Sequence, residues 1–249
     1  MTFQVGRGAL YSTLALLITW VVPQKKRTLI ASTSEVKMPV LYDGEIQIRK
    51  IVTGAYENNC YLAICPKTNE SVIIDAPAEA EKILKQAEGT EVKAVLFTHT
   101  HFDHIGCFKE LKTALKVPMV VHPADADQLP EPPDQLFEHE GIFSFGAITF
   151  RTIHVPGHTP GGTSLLWEKH LFSGDTLFPG GPGMTTSPEN FRQLVKSLGE
   201  RTFVLPEDTN VYPGHGVETV LGNEKKQYEA FKQHSHPPDL CGNVLWLSS

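Results

Sequence analysis

Beyond residue 44 the chain carries its apolar residues in two alternating rhythms. Residues 45–52 (EIQIRKIV) alternate apolar and polar positions as a half-buried strand does, and residues 60–65 form a matching run. Residues 71–75 (SVIID) predict a buried strand that ends in an acid. Residues 78–88 have helical spacing, with Ile83, Leu84 and Ala87 on one face and Gly89 as a stop. A further buried strand over 92–97 runs straight into the polar segment Thr98-His99-Thr100-His101-Phe102-Asp103-His104.

The alternation then repeats. Phe108–Leu115 predicts a helix, residues 118–122 a strand, and residues 123–127 the opening of a short helix. Residues 128–140 are acidic and proline-rich, which predicts a surface loop or the edge of a lid. Residues 147–154, 163–167 and 170–173 predict three more strands. Pro179-Gly180-Gly181-Pro182-Gly183 predicts a stiff loop. Ser187 and Pro188 supply an N-cap and a first-turn proline for a helix to about Leu198. Residues 210–212 predict a last strand and 223–234 a last helix. Strands interleaved with helices imply an α/β layered sandwich.

Composition narrows the class. The chain has 249 residues, 41% hydrophobic and 20% charged, the make-up of a globular protein that buries a core without staples. Its formal charge of −6, with no long basic run in the body, argues against nucleic acid as a partner. Cys60, Cys65, Cys107 and Cys241 form no CxxC pair, so free thiols in a reducing compartment are expected. Residues 1–40 differ in character. The run ALYSTLALLITWVV is shorter than the roughly 20 residues of a membrane span, so no stable span is expected. Lys25, Lys26 and Arg27 follow where a secretory cleavage site should be. The segment reads as an N-terminal extension to a domain over 41–249, in a cytoplasmic protein. The alternative is a plastid or mitochondrial transit peptide, since no acid precedes Glu35.

The chemistry is concentrated in His99-x-His101-x-Asp103-His104. Three imidazoles and a carboxylate this close together would leave polar groups unpaired without a cation. On a turn after a strand they can diverge and serve two metals a few Å apart. One loop cannot close two coordination spheres, so further ligands must come from later strand ends. His158 (in Pro156-Gly-His-Thr-Pro), Asp175 (in Ser173-Gly-Asp-Thr) and His215 (in Pro213-Gly-His-Gly) each stand on a turn after a predicted strand. Such donors suit Zn2+, and also iron or manganese. His154, four residues before His158, reads equally as a support for it or as a core or surface residue. His122 reads as structural, and His139, His170, His234 and His236 as surface residues.

In these motifs, over about residues 45–232, the chain resembles the metallo-β-lactamase superfamily in its glyoxalase II-like hydrolase branch. Asn59-Cys60-Tyr61-Leu62 and the stretch from Gly214 to Lys225 share in the likeness. The resemblance implies a four-layer αββα sandwich, two mixed β-sheets flanked by helices. It implies that His99, His101 and His158 hold one divalent ion and Asp103, His104 and His215 the other, with Asp175 bridging. Asp75 would orient the histidine loop from behind, although Ala76-Pro77 follows it where relatives have a Pro-Gly type of turn.

Two such ions lower the pKa of a shared water toward neutrality, giving a metal-bridged hydroxide, with Asp103 as proton acceptor or shuttle. The substrate is expected to be a small molecule. The resemblance favours a thioester such as S-lactoylglutathione, with an iron-dependent persulfide dioxygenase or a lactonase as alternatives. Asp175 argues against the true lactamases, and His101 against the flavodiiron branch. The chain departs from the larger glyoxalase II enzymes after His215, where the sequence offers one helix and a tail in place of a basic glutathione-binding domain.

Overall fold

The computed structural model describes residues 40–138 and 140–248. The expected N-terminal extension, save Val40, lies outside the described residues, as does His139. A first sheet takes β1 (Val40–Asp43), β2 (Gln47–Thr53), β3 (Asn58–Ile64), β4 (Glu70–Ile74), β5 (Glu91–Leu96), β6 (Met119–Val121) and β7 (Gln135–Leu136) in that order. It is antiparallel up to β4 and parallel from β4 to β7. The second sheet contains β8 (Ile142–Phe145), β9 (Ile148–His154), β10 (Thr163–Trp167) and β11 (His170–Gly174). A small ribbon of β12 (Leu177–Phe178) and β13 (Gly181–Pro182) stands apart, and β14 (Asn210–Pro213) and β15 (Thr219–Val220) return to the second sheet. Its order is β15-β14-β11-β10-β9-β8, with β11 and β14 parallel.

Strand parity sorts the apolar residues into separate layers. On β3, Tyr61 and Ala63 face one way, and Cys60, Leu62 and Ile64 the other. The first set joins Val72, Leu96, Phe150, Leu165 and Phe172, residues of both sheets, so it fills the space between them. The second set meets α1 (Ala80–Ala87) and α2 (Phe108–Leu115) through Ile83, Phe108 and Leu111. A third cluster packs Leu166, Leu171 and Val211 of the second sheet against α3 (Pro188–Ser197) and α4 (Leu221–Lys232). Helix, sheet, sheet and helix make the αββα sandwich. Ser187 caps α3 by accepting from Asn190 N–H at 3.2 Å, with Pro188 in its first turn.

Four local expectations need correction. Residues 128–140 are not all loop: the free edge of β6 pairs with β7, and Phe137 is buried between the sheets. The last helix begins at Leu221, two residues early. His170 is not a surface residue. It has the inward parity of Phe172, stacks on Tyr212 and holds the Tyr212 hydroxyl at 2.8 Å from its Nδ1. His236 is half-buried on Phe231 and donates to that residue's carbonyl at 2.8 Å, whereas His234 is exposed as expected. His122 is structural, as expected, its Nδ1 accepting from Ala124 N–H at 3.2 Å.

Cys60, Cys65 and Cys107 are buried free thiols and Cys241 is a half-buried one. Among the described residues no helix is long and apolar enough to cross a membrane.

The inter-sheet core is the stability-critical layer. Phe150→Ala, at a fully buried ring packed on Phe145 and Phe172, is expected to lower unfolding free energy by about 3–5 kcal/mol. Ile142→Ala on the neighbouring strand, 69% exposed, should leave the unfolding free energy from a urea titration within about 0.5 kcal/mol of wild type.

Candidate metal centre

Five strands end at one place. Asp75 follows β4, His99 to His104 follow β5, His158 follows β9, Asp175 follows β11 and His215 follows β14. Backbone hydrogen bonds tie the two sheets together there: Thr163 N–H to Thr98 O at 2.8 Å, and Asn59 N–H to Gly214 O at 2.7 Å. Gly214 N–H donates in turn to Gly174 O at 2.9 Å. The turn at Gly214 lies so close to Asp175 that a Cβ would stand 2.1 Å from its Oδ1. Only glycine fits.

The seven expected ligands converge. Three overlapping sets, His99–His101–His158, His99–His104–Asp175 and Asp103–His104–His215, each bring their donor atoms within 4.8 Å of one another. Asp175 lies between the outer two, with Oδ1 3.4 Å from His104 Nε2, and Oδ2 3.5 Å from His215 Nε2 and 3.7 Å from His158 Nε2. Asp103 Oδ2 is 3.3 Å from His215 Nε2 and accepts from the Asn58 amide at 3.0 Å.

The partners of the histidines decide which nitrogen faces inward. His104 Nδ1 donates to Asp75 Oδ2 at 3.0 Å, His158 Nδ1 to Met184 O at 2.7 Å, and His215 Nδ1 to Tyr56 O at 3.0 Å. Asp75 also accepts from Thr98 N–H and from its hydroxyl, both at 2.8 Å. With that hydroxyl hydrogen committed, Thr98 Oγ1 is the acceptor for His99 Nδ1 at 3.1 Å. Each Nδ1 hydrogen therefore points away, and each Nε2 presents a lone pair to the centre. His99 Nε2, His158 Nε2 and Asp175 Oδ1 are buried with no partner. His104 Nε2 and His215 Nε2 face each other at 3.3 Å. Acceptors facing acceptors require a cation among them. The donor set fits divalent metal.

The same crowding of charged and polar groups sets the proton affinities within the cluster. Burial drives His104 toward the neutral form, but Asp175 and Asp75 outweigh it and hold its pKa well above the usual histidine range. Burial is outweighed at His215 too, by Asp175 and the Tyr56 carbonyl, so its pKa is also raised. His99 goes the other way, pushed well below by burial and by the charge of His104. His101 is lowered by burial and by His158. Asp175 is held well below the carboxylate range despite its burial, chiefly by His104 and His215.

One support emerges that the sequence did not single out. Asp125, 1% exposed, accepts from Gly161 N–H at 2.6 Å and from Thr159 Oγ1 at 2.7 Å, clasping the turn that carries His158. The Pro-Ala-Asp after His122 was its only signal. His154 proves to be a support as well: its Nε2 donates to Pro160 O at 2.8 Å and its ring stacks on His122 at 4.0 Å. Above the cluster opens a cavity of about 590 Å³, walled by Tyr56, Phe102, Phe178, Met184 and the C-terminal residues Asn243–Leu245.

The sequence model of the metallo-beta-lactamase superfamily matches residues 53–215, the span that contains all seven residues. The chain belongs to that superfamily. It is a metallo-hydrolase of this group, whose members bind divalent metals. The Haemophilus influenzae protein named hydroxyacylglutathione hydrolase GloC is 31% identical over 73% of this chain and 96% of its own length. Among solved structures, TTHA1623 in a di-iron-bound form is 34% identical with a TM-score of 0.59, covering 70% of this chain and 96% of that one. ETHE1 from Myxococcus xanthus is 26% identical with a TM-score of 0.68, covering 76% of this chain and 85% of that one.

Asp75→Asn removes the carboxylate that orients His104 and, through Thr98, His99. Competition with a chelating dye is expected to show about 10- to 100-fold weaker zinc binding. Asp125→Ala leaves the Gly161 N–H without its buried acceptor, and should lower stability by roughly 1–3 kcal/mol in a denaturant titration.

Proposed function

We propose that the chain is a two-metal hydrolase acting on thioesters, in the manner of a hydroxyacylglutathione hydrolase. His99, His101 and His158 would hold one ion, and Asp103, His104 and His215 the other, with Asp175 shared between them. The observation that carries this reading is the set of bare, buried atoms, His99 Nε2, His158 Nε2 and Asp175 Oδ1, within a cluster of donors that converge from four strand ends. Zn2+ is the expected occupant, with iron or manganese compatible with the same donors. The di-iron form of TTHA1623 supports a two-ion site.

Bound divalent ions would supply Lewis acidity toward a carbonyl and toward water. The residues of the chain do the rest. Asn58 holds Asp103 Oδ2 beside His215, so that one carboxylate oxygen faces the centre and can take a proton from attacking water. Asp75, Thr98 and the Met184 and Tyr56 carbonyls keep His104, His99, His158 and His215 in the tautomer whose Nε2 faces the centre, where these nitrogens would serve as metal ligands. The likeness to GloC supports the thioester class, and it spans 96% of that protein, so the name hydroxyacylglutathione hydrolase does not depend on a large appended domain.

An iron-dependent dioxygenase acting on a persulfide is the second reading, favoured by the likeness to ETHE1. It would use His99, His158 and Asp175 at a single iron. Metal analysis and oxygen uptake separate the two.

The hydrolase is expected to contain about two divalent ions per chain, to cleave S-lactoylglutathione without consuming oxygen, and to stop when chelated. His99→Ala should lose metal and lower kcat/KM by more than roughly 100-fold, beyond what loss of an outer partner causes. Asp103→Asn should lower kcat by about 10²–10⁴-fold. Unchanged metal content and turnover in His99→Ala would sink the proposal.

A further inference from the structure

The geometry points to an uncharged, apolar substituent of the substrate, flanking the scissile carbonyl, as the group the cavity selects; this rests on the hydrolase reading above. Four of the exposed large apolar side chains, Tyr56, Phe102, Met184 and Leu245, stand on the wall of this one cavity, with the histidine cluster on its floor. Solvent-facing apolar groups gathered over a polar floor mark a binding site. Tyr56 and Phe102 meet edge to face at 5.6 Å, and Phe178 lies against His215. Among the described residues no lysine or arginine lines the cavity, and its charged side chains are Asp103 and Asp175. Lys50, near the His215 turn, is spent on Glu218 at 2.8 Å and on the Gly216 carbonyl. With Asp103 and Asp175 taken up as metal ligands, an anionic arm held along the wall, such as either carboxylate of glutathione, finds no lysine or arginine to pair with.

The wall is also built to stay in place. Trp246 is buried between Tyr228 and Phe231 and donates its backbone N–H to Gly180 O at 2.8 Å. Gly242 and Thr185 exchange a pair of backbone hydrogen bonds at 2.9 and 3.2 Å. The buried Glu224 accepts from Gly180 N–H at 2.7 Å and from the Thr219 hydroxyl at 2.7 Å. Val244 and Leu245 are thus held against the ribbon of β12 and β13, and the apolar surface is preformed.

Two thioester series test this with the zinc-loaded full chain. One fixes N-acetylcysteamine as the thiol and varies the acyl group through acetyl, butyryl, hexanoyl and succinyl. The other fixes acetyl and varies the thiol through methyl, hexyl and glutathione. In one series kcat/KM is expected to rise about tenfold or more with apolar length, and which series does so tells which side of the bond enters the cavity. Succinyl should fall below acetyl. Leu245→Asp, at a half-exposed position, should cut the hexanoyl or hexyl advantage at least fivefold with metal content unchanged. Calorimetry should show hexanoate binding more tightly than succinate if the acyl side enters. Flat profiles in both series, or a preference for succinyl or glutathione, would overturn the inference and leave the thioesterase reading standing. The same apolar preference on p-nitrophenyl esters, without thioester cleavage, would retire the thioesterase reading and keep the cavity's selectivity.

Discussion

The site depends on where the histidine hydrogens go. His104, His158 and His215 commit Nδ1 to Asp75, Met184 and Tyr56, and His99 commits its own to Thr98. The inward nitrogens of these four are then lone pairs, and buried lone pairs gathered around Asp175 are unstable unless positive charge fills the space among them. Much of the surrounding structure serves to keep these acceptors in position. The cross-sheet bonds at Thr163 and Gly214 hold the strand ends together, and Asp125 keeps the His158 turn from swinging away.

The three apolar layers relieve the site of any duty in stability. The cores that face α1 and α2, and α3 and α4, lie on the outer faces of the sheets, and the inter-sheet core lies between them. The cluster sits where the strands stop, so its unsatisfied atoms are tolerated by a fold stabilised elsewhere. Such a division leaves the loops around the strand ends, the ribbon of β12 and β13 and the segment behind Leu245 among them, free of any duty in holding the donor atoms.

What the sequence made legible follows from range. His99, His101, Asp103 and His104 announce themselves because four donors fall within six residues. His158, Asp175 and His215 could be added because each follows an apolar run with a glycine in the turn. Asp125 offered no more than the Pro-Ala-Asp after His122, since its importance comes from a turn 34 to 36 residues away. His170 was misjudged because a residue at the mouth of a hairpin can take either parity, and only the pairing of β11 with β14 shows that it faces Tyr212. The cavity wall was missed for a similar reason: Asn243 to Leu245 carry no periodic pattern, and their meaning depends on where Trp246 finds its pocket.

The parallel pairing of β11 with β14 joins His170 to Asn210 and has a kinetic consequence. Donors scattered from residue 99 to residue 215 meet only after that long-range closure, and closing such a loop is entropically expensive and slow. A partly folded chain, even one with α1, α2 and the first sheet in place, owns one cluster of histidines and no complete coordination sphere. The complete donor set therefore exists only where β14 is paired with β11, so the integrity of the site and that of the second sheet are one property.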